Sequence, residues 1–230
     1  MVTSDHLQGE RSPNSLERHS TMRCSRNRVL IVCPADAEHY FQDLADHLNL
    51  TNEIIIRVAS SSDPVALVDE AFEISQKAPT HHRIFVLVDH PGQSDPLDSD
   101  STHPIKTVAR RIKNNHLPQN RIVRLLVTEP GFLLWLLLHF DQAEFSAWPA
   151  SQWPKIVEQE LELHIPHATR KASQKQFFAK THAYLTKAIK RSQNQILARM
   201  VKPGPSTEIH ELIGFLLKHR SRRANARNPK

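Results

Sequence analysis

Glycine is scarce in this chain, with five in 230 residues, and so are cysteine (two) and the aromatic residues (6%). Five glycines supply no GxGxxG fingerprint and no Walker A loop, so a nucleotide's phosphates have no glycine-rich turn to rest on. A GxSxG elbow is missing too, and neither cysteine has a recognisable catalytic setting. Cys24 and Cys33 are too few for a disulfide framework or for a zinc site of their own. The histidines, His81-His82 and His164/His167 among them, show no convincing ligand spacing. The longest apolar run, Phe132–Leu138, falls far short of the ~20 residues that span a bilayer. No apolar h-region of a secretory signal opens the sequence. A cytoplasmic protein with no membrane partner is the expectation.

Negative charge is the most unevenly missing property. No Asp or Glu occurs between Ala168 and Pro205, and residues 168–230 hold 15 Lys/Arg against only Glu208 and Glu211. Residues 1–167 hold 15 Lys/Arg against 22 Asp/Glu, so the formal total of +6 conceals an acidic body and a basic C-terminal third. That polarity points to a phosphate-rich partner, most simply nucleic acid. A solvated helix face or a basic tail is the plainer use of the same residues.

What is present alternates. Arg28–Cys33 (RVLIVC), Glu53–Val58 (EIIIRV), Arg83–Val88 (RIFVLV) and Arg121–Val127 (RIVRLLV) are short apolar runs of the buried parallel-strand type. Helical patterns separate them. Tyr40, Phe41, Leu44 and Leu48 share one helix face, Asp63-Pro64 reads as a cap with proline at the first helical position, and Pro104–Asn115 continues the series. After the fourth strand, Pro130-Gly131 turns the chain into an apolar helix over Phe132–Phe140, and a short helix follows near Lys155–Leu163. Phe178, Leu185, Ile189, Ile196 and Met200 then mark a long helix from Ser173, which Pro203-Gly204-Pro205 stops. Ser206 or Thr207 caps a last amphipathic helix through Leu212, Ile213, Leu216 and Leu217.

This order predicts an α/β fold, a mainly parallel sheet flanked by helices with a C-terminal helical extension. The expected divisions are a disordered polar N-terminus (1–27), the α/β domain (28–167), a basic helical extension packed on it (168–219) and a disordered basic tail (220–230).

Four stretches, VLIVCPADAEHYF (Val29–Phe41), IFVLVDHP (Ile84–Pro91), TEPGFLLWLLLHF (Thr128–Phe140) and the segment Pro205–Leu217, give the chain a resemblance to the RloB family. The third is the most specific, because Trp135 and the Leu-Leu-His-Phe ending with His139 follow the family's signature order. The resemblance implies a Toprim-like sheet, a link to prokaryotic restriction and anti-phage loci, and a metal-dependent nuclease acting on DNA or RNA, often encoded beside an ATPase partner. It also exposes departures. The family's first-strand Glu-Gly is Pro34-Ala35 here, its Asp-x-Asp is Asp89-His90-Pro91, and a Glu of the signature helix is Leu133.

A site of that type needs carboxylates at the carboxyl ends of adjacent strands, to hold Mg²⁺ against a phosphate and to move a proton. Asp36 and Asp89 are the candidate metal ligands, and Asp89, Glu129 and Glu38 the candidate catalytic carboxylates. Asp36 also suits a helix cap, and Glu38 and Glu129 suit the surface. Lys175, Lys180, Lys187, Lys190 and Arg191 are the candidate nucleic-acid contacts. His139 reads as a hydrogen-bonded core or helix-end residue, and His90 as a loop residue beside Asp89. Two functions stay open: a nuclease with a rebuilt acidic site, or a catalytically inactive member that binds nucleic acid or a partner protein.

Overall fold

The structure, a computed structural model, describes residues 28–77, 81–90, 104–114, 121–140, 149–164, 177–199 and 204–227. Five strands form one sheet: β1 (Arg28–Cys33), β2 (Ile54–Val58), β3 (His81–Asp89), β4 (Ile122–Glu129) and β5 (Ser206–Thr207). Their order is β2-β1-β3-β4-β5. The first four run parallel, and the two-residue β5 pairs antiparallel with the end of β4.

Parallel strands in the middle of a sheet are covered on both faces, which is why β1 and β3 are apolar without alternation. Successive side chains still point to opposite faces. Val29, Ile31 and Cys33 of β1 and Phe85 and Leu87 of β3 enter one core, whereas Leu30, Val32, Ile84, Val86 and Val88 enter the other. The second core is closed by α2 (Pro64–Lys77) and α3 (Pro104–Asn114) through Leu67, Val68, Ala71, Phe72 and Val108. The larger one is closed by α1 (Glu38–His47), α4 (Phe132–Leu137), α5 (Trp153–His164), α6 (Phe177–Thr181), α7 (Leu185–Arg199) and α8 (Ile209–Arg227). The α/β fold, the mainly parallel sheet and the C-terminal helical extension are therefore as expected. No described helix is long and apolar enough to cross a membrane.

Caps and breaks follow local chemistry. The Asp63 carboxylate accepts the Ala66 N–H at 2.9 Å, capping α2 ahead of Pro64 as its sequence suggested. The helix predicted from Ser173 to Met200 is interrupted, since a 3-10 turn at His182–Tyr184 separates α6 from α7. The face that α7 buries consists of Ala188, Ser192 and Gln195. The small Ala188 and Ser192 let the helix approach β5, and the Ser192 hydroxyl donates to the Thr207 carbonyl at 2.5 Å. Ser206 and Thr207 form β5 before α8 begins, although Thr207 still accepts the Ile209 N–H through its hydroxyl. The last helix continues through residue 227, into the stretch expected to be a tail, because no proline or glycine interrupts it after Gly214. The expectations for residues 1–27 lie outside the described residues.

Candidate functional site at the carboxyl edge of the sheet

Asp89 ends β3 and Glu129 ends β4, and the ladder sets Asp89 beside Thr128. Beyond β1 the chain turns through Pro34-Ala35-Asp36 into α1. All three acids therefore stand at the carboxyl edge, where open α/β sheets place their sites. Their surroundings then separate them.

Asp36 does not cap α1. Ala37 occupies the cap position with no side-chain hydrogen bond, and Asp36 stays in the turn before it. Burial raises the Asp36 carboxyl above its usual range, against the backbone N–H groups of Asp36 and Ala37, which lower it. Asp89 is raised further, to about 7, first by burial and then by the neighbouring charge of Asp36, with the Phe132 backbone N–H opposing. The Cys33 thiol at the end of β1 is buried and pushed up by that burial and by Glu38, Asp36 and Asp89 together. That thiol is inert, and it reports three acids grouped around one strand end. Glu38, on the first turn of α1, accepts a hydrogen bond from the Gln42 amide at 2.9 Å.

The turn after β4 is shaped around Asp89. Gly131 has φ +151°, a region that side-chain-bearing residues rarely enter, and a Cβ on it would lie 3.6 Å from Asp89 Oδ2. The Glu129–Pro130 peptide is cis.

Glu129 has a different fate. Its side chain is buried, with one oxygen 2.6 Å from Arg199 Nη2 and the other 3.7 Å from His90 Nδ1. Arg199, the last residue of α7, also donates to the Ser206 hydroxyl at 2.7 Å. The expected grouping of Asp36, Glu38, Asp89 and Glu129 thus divides into a cluster at β1 and β3 and an ion pair at β4. Among the described residues no group of three or more His, Cys, Asp or Glu side chains is placed to hold a metal ion. A cation at this edge would rest on Asp36 and Asp89, which suits Mg²⁺, an ion commonly bound by one or two carboxylates with water and phosphate oxygens filling the rest. Neither aspartate is ion-paired with a cationic side chain among the described residues. Arg199 and Ser206 escaped sequence reasoning, because nothing local separates Arg199 from the other basic residues of that segment.

The signature residues belong to the core. Trp135 and His139 are fully buried. The Trp135 carbonyl can only accept, so His139 Nδ1 donates to it at 3.0 Å, and Nε2 accepts from the Tyr40 hydroxyl at 3.2 Å. Burial lowers the His139 pKa to about 4, which keeps this ring neutral and in one tautomer. Ser192 and His210 lie 2.8 Å apart, but the serine proton is already given to the Thr207 carbonyl, so the pair is no nucleophile.

Of the candidate nucleic-acid contacts, Lys175 lies outside the described residues. Lys180, Lys187 and Lys190 are exposed. Arg191 turns inward and donates to the Leu138 carbonyl at 2.9 Å, tying α7 to the end of α4. Comparison with the curated proteins and with the solved structures finds no match. The family model described as "RloB-like protein" matches residues 29–216, which include every strand but the first residue of β1, the acidic edge and the signature helix. By that match the chain belongs to the RloB-like family.

Proposed function

We propose that this protein is a nucleic-acid-processing member of its family, a Mg²⁺-dependent nuclease of prokaryotic defence with a reduced, two-carboxylate site on a Toprim-like sheet. One observation carries the reading. Asp36 and Asp89 are two partly buried carboxylates whose proton affinity burial raises, Asp89 further by the charge of Asp36, with no cationic side chain among the described residues to balance them. Such a pair gains when a divalent cation replaces the proton that Asp89 otherwise holds.

In this reading Asp36 and Asp89 would hold the ion at the carboxyl edge of the sheet. Mg²⁺ bound there would polarise that phosphate and acidify a coordinated water. Glu38, beside the pair, accepts the proton of the attacking water once its carboxylate leaves Gln42. The role of Glu129 changes from direct catalysis to positioning, since Arg199 holds it. Lys180, Lys187 and Lys190 present positive charge to the nucleic-acid backbone.

A second reading, a catalytically inactive component that binds nucleic acid or a partner such as an ATPase, is favoured by the Glu129–Arg199 pair, which neutralises the acid ending β4. Cleavage of DNA, structured RNA and tRNA by purified protein with Mg²⁺ or Mn²⁺ separates the two. Metal-dependent cleavage that disappears in Asp89→Ala supports the nuclease. Cleavage that survives the substitution sinks the assignment of this site, and no cleavage of any substrate favours the binding component.

A further inference from the structure

We infer that Tyr184, Phe140 and His164 form a base-stacking platform for single-stranded nucleic acid, with Lys187 against it and Lys180 and Lys190 exposed on the same basic helices. The inference rests on the nucleic-acid reading above and adds to it a site and a strand preference. Three chain segments meet here: the end of α4, the end of α5 and the 3-10 turn that breaks the long helix. His164 stacks on Phe140 with ring centroids 5.0 Å apart and planes 9° from parallel. Phe140 meets Tyr184 at 6.1 Å, and Lys187 Nζ sits 5.3 Å from the centre of the Tyr184 ring.

The row is rigid at its base and open at its top. Phe140 is half-buried and held from beneath by Phe177 at 6.3 Å. Tyr184 keeps 41% of its surface in water, and His164 is exposed. Lys187 lies over the Tyr184 ring, so a base takes that face as the flexible lysine swings aside to the adjacent phosphate. The setting is cationic on one side. Lys180, Lys187 and Lys190 are exposed, and α6 and α7 carry no acid at all. Glu158 and Glu162 of α5 are exposed acids, whereas α6 and α7 expose cations and no acid, so the backbone of a bound strand runs along α6 and α7. Bases in a duplex have both faces covered by their neighbours, and only an unpaired base can lie on such a platform.

The test is fluorescence anisotropy on the full-length chain in chelator, with a labelled mixed-sequence 12-nucleotide RNA, the same sequence as DNA, and a blunt-ended duplex with no unpaired base. Removing one stacking ring weakens single-strand binding by roughly 5- to 100-fold. Tyr184→Ala and Tyr184→Leu should show that loss, Tyr184→Phe should stay within about two-fold of the parent, and duplex binding should move in none of them. Tyr184→Leu keeps apolar packing, so it carries the test if Tyr184→Ala fails to fold. Lys187→Gln should reduce the salt slope by about one phosphate contact. The relative loss on RNA and DNA identifies which strand the platform serves. Single-strand binding unchanged in Tyr184→Leu, an equal loss on duplex, or no binding of any nucleic acid would overturn the platform. The last outcome would leave the surface to a protein partner. Ring-dependent binding by a protein that cuts nothing would remove the nuclease reading and leave the platform standing.

Discussion

Asp89 and Glu129 end neighbouring strands at the same edge of one sheet, yet they live in opposite electrostatic surroundings. Asp89 faces Asp36, and its proton affinity rises to about 7 through burial and that second charge. Glu129 is more fully buried but has the Arg199 guanidinium 2.6 Å away. The difference comes from what covers each strand. The basic helix α7 ends over β4 and brings a cation with it, whereas the Pro130-Gly131 turn and the start of α4 bring only backbone to β3. Two acids with the same topological address therefore differ: one has no cationic side chain against it among the described residues, and the other already has one.

The strongest way to break this comparison is to remove the unbalanced acid. Asp89→Ala should lower metal-dependent cleavage by about 100-fold or more, the several kcal/mol that metal-assisted charge stabilisation supplies. Single-turnover kinetics on a cleaved substrate checks this. Removing the balancing cation should act on stability instead. Arg199→Met leaves Glu129 buried and uncompensated, at a cost of about 3 kcal/mol in denaturant unfolding. Adding Glu129→Gln to that variant should recover most of the loss, and a double variant no more stable than Arg199→Met would show that the pair does not act as a unit.

A pH series sharpens the contrast. The Asp89 pKa is about 7 in the folded chain against 3.8 for the free side chain, so the folded state holds its proton more tightly. Stability should fall as pH rises between those two values, with the full cost above pH 7 and none below 3.8. Allowing for the part of the side chain still in contact with solvent, the cost is on the order of 2 kcal/mol. Asp89→Asn should flatten the pH dependence and be more stable than the parent at pH 8. The smallest expected effect lies at the other end of α7. Arg191→Met loses a charge-assisted hydrogen bond to the Leu138 carbonyl, worth about 1–2 kcal/mol in the same unfolding assay.

Sequence reasoning reached the fold further than the site, for a physical reason. β1 was legible residue for residue, because a central parallel strand must be apolar throughout. The Pro-Gly entry into α4 was legible because that turn needs an unusual backbone. The break at His182–Tyr184 was not, since no proline or glycine marks it and the apolar spacing continues across it. At the site, the edge positions of Asp36, Asp89 and Glu129 followed from topology alone. The pairing of Glu129 with Arg199 did not, because it joins residues 70 positions apart through the fold of α7 onto β5. The same limit applied to Arg191, whose place in a basic stripe suggested a solvent-facing contact and whose guanidinium instead reaches the end of α4.

Thermal unfolding at pH 8 with and without Mg²⁺ or Mn²⁺ tests most directly the proposal that Asp36 and Asp89 together take a divalent cation. Metal at 100 times its dissociation constant should stabilise the parent by about 2.7 kcal/mol, a rise of roughly 5–11 °C for a chain of this size. The same metal should leave Asp89→Asn almost unmoved. An equal rise in both proteins, or none in the parent at any metal concentration, would contradict the account.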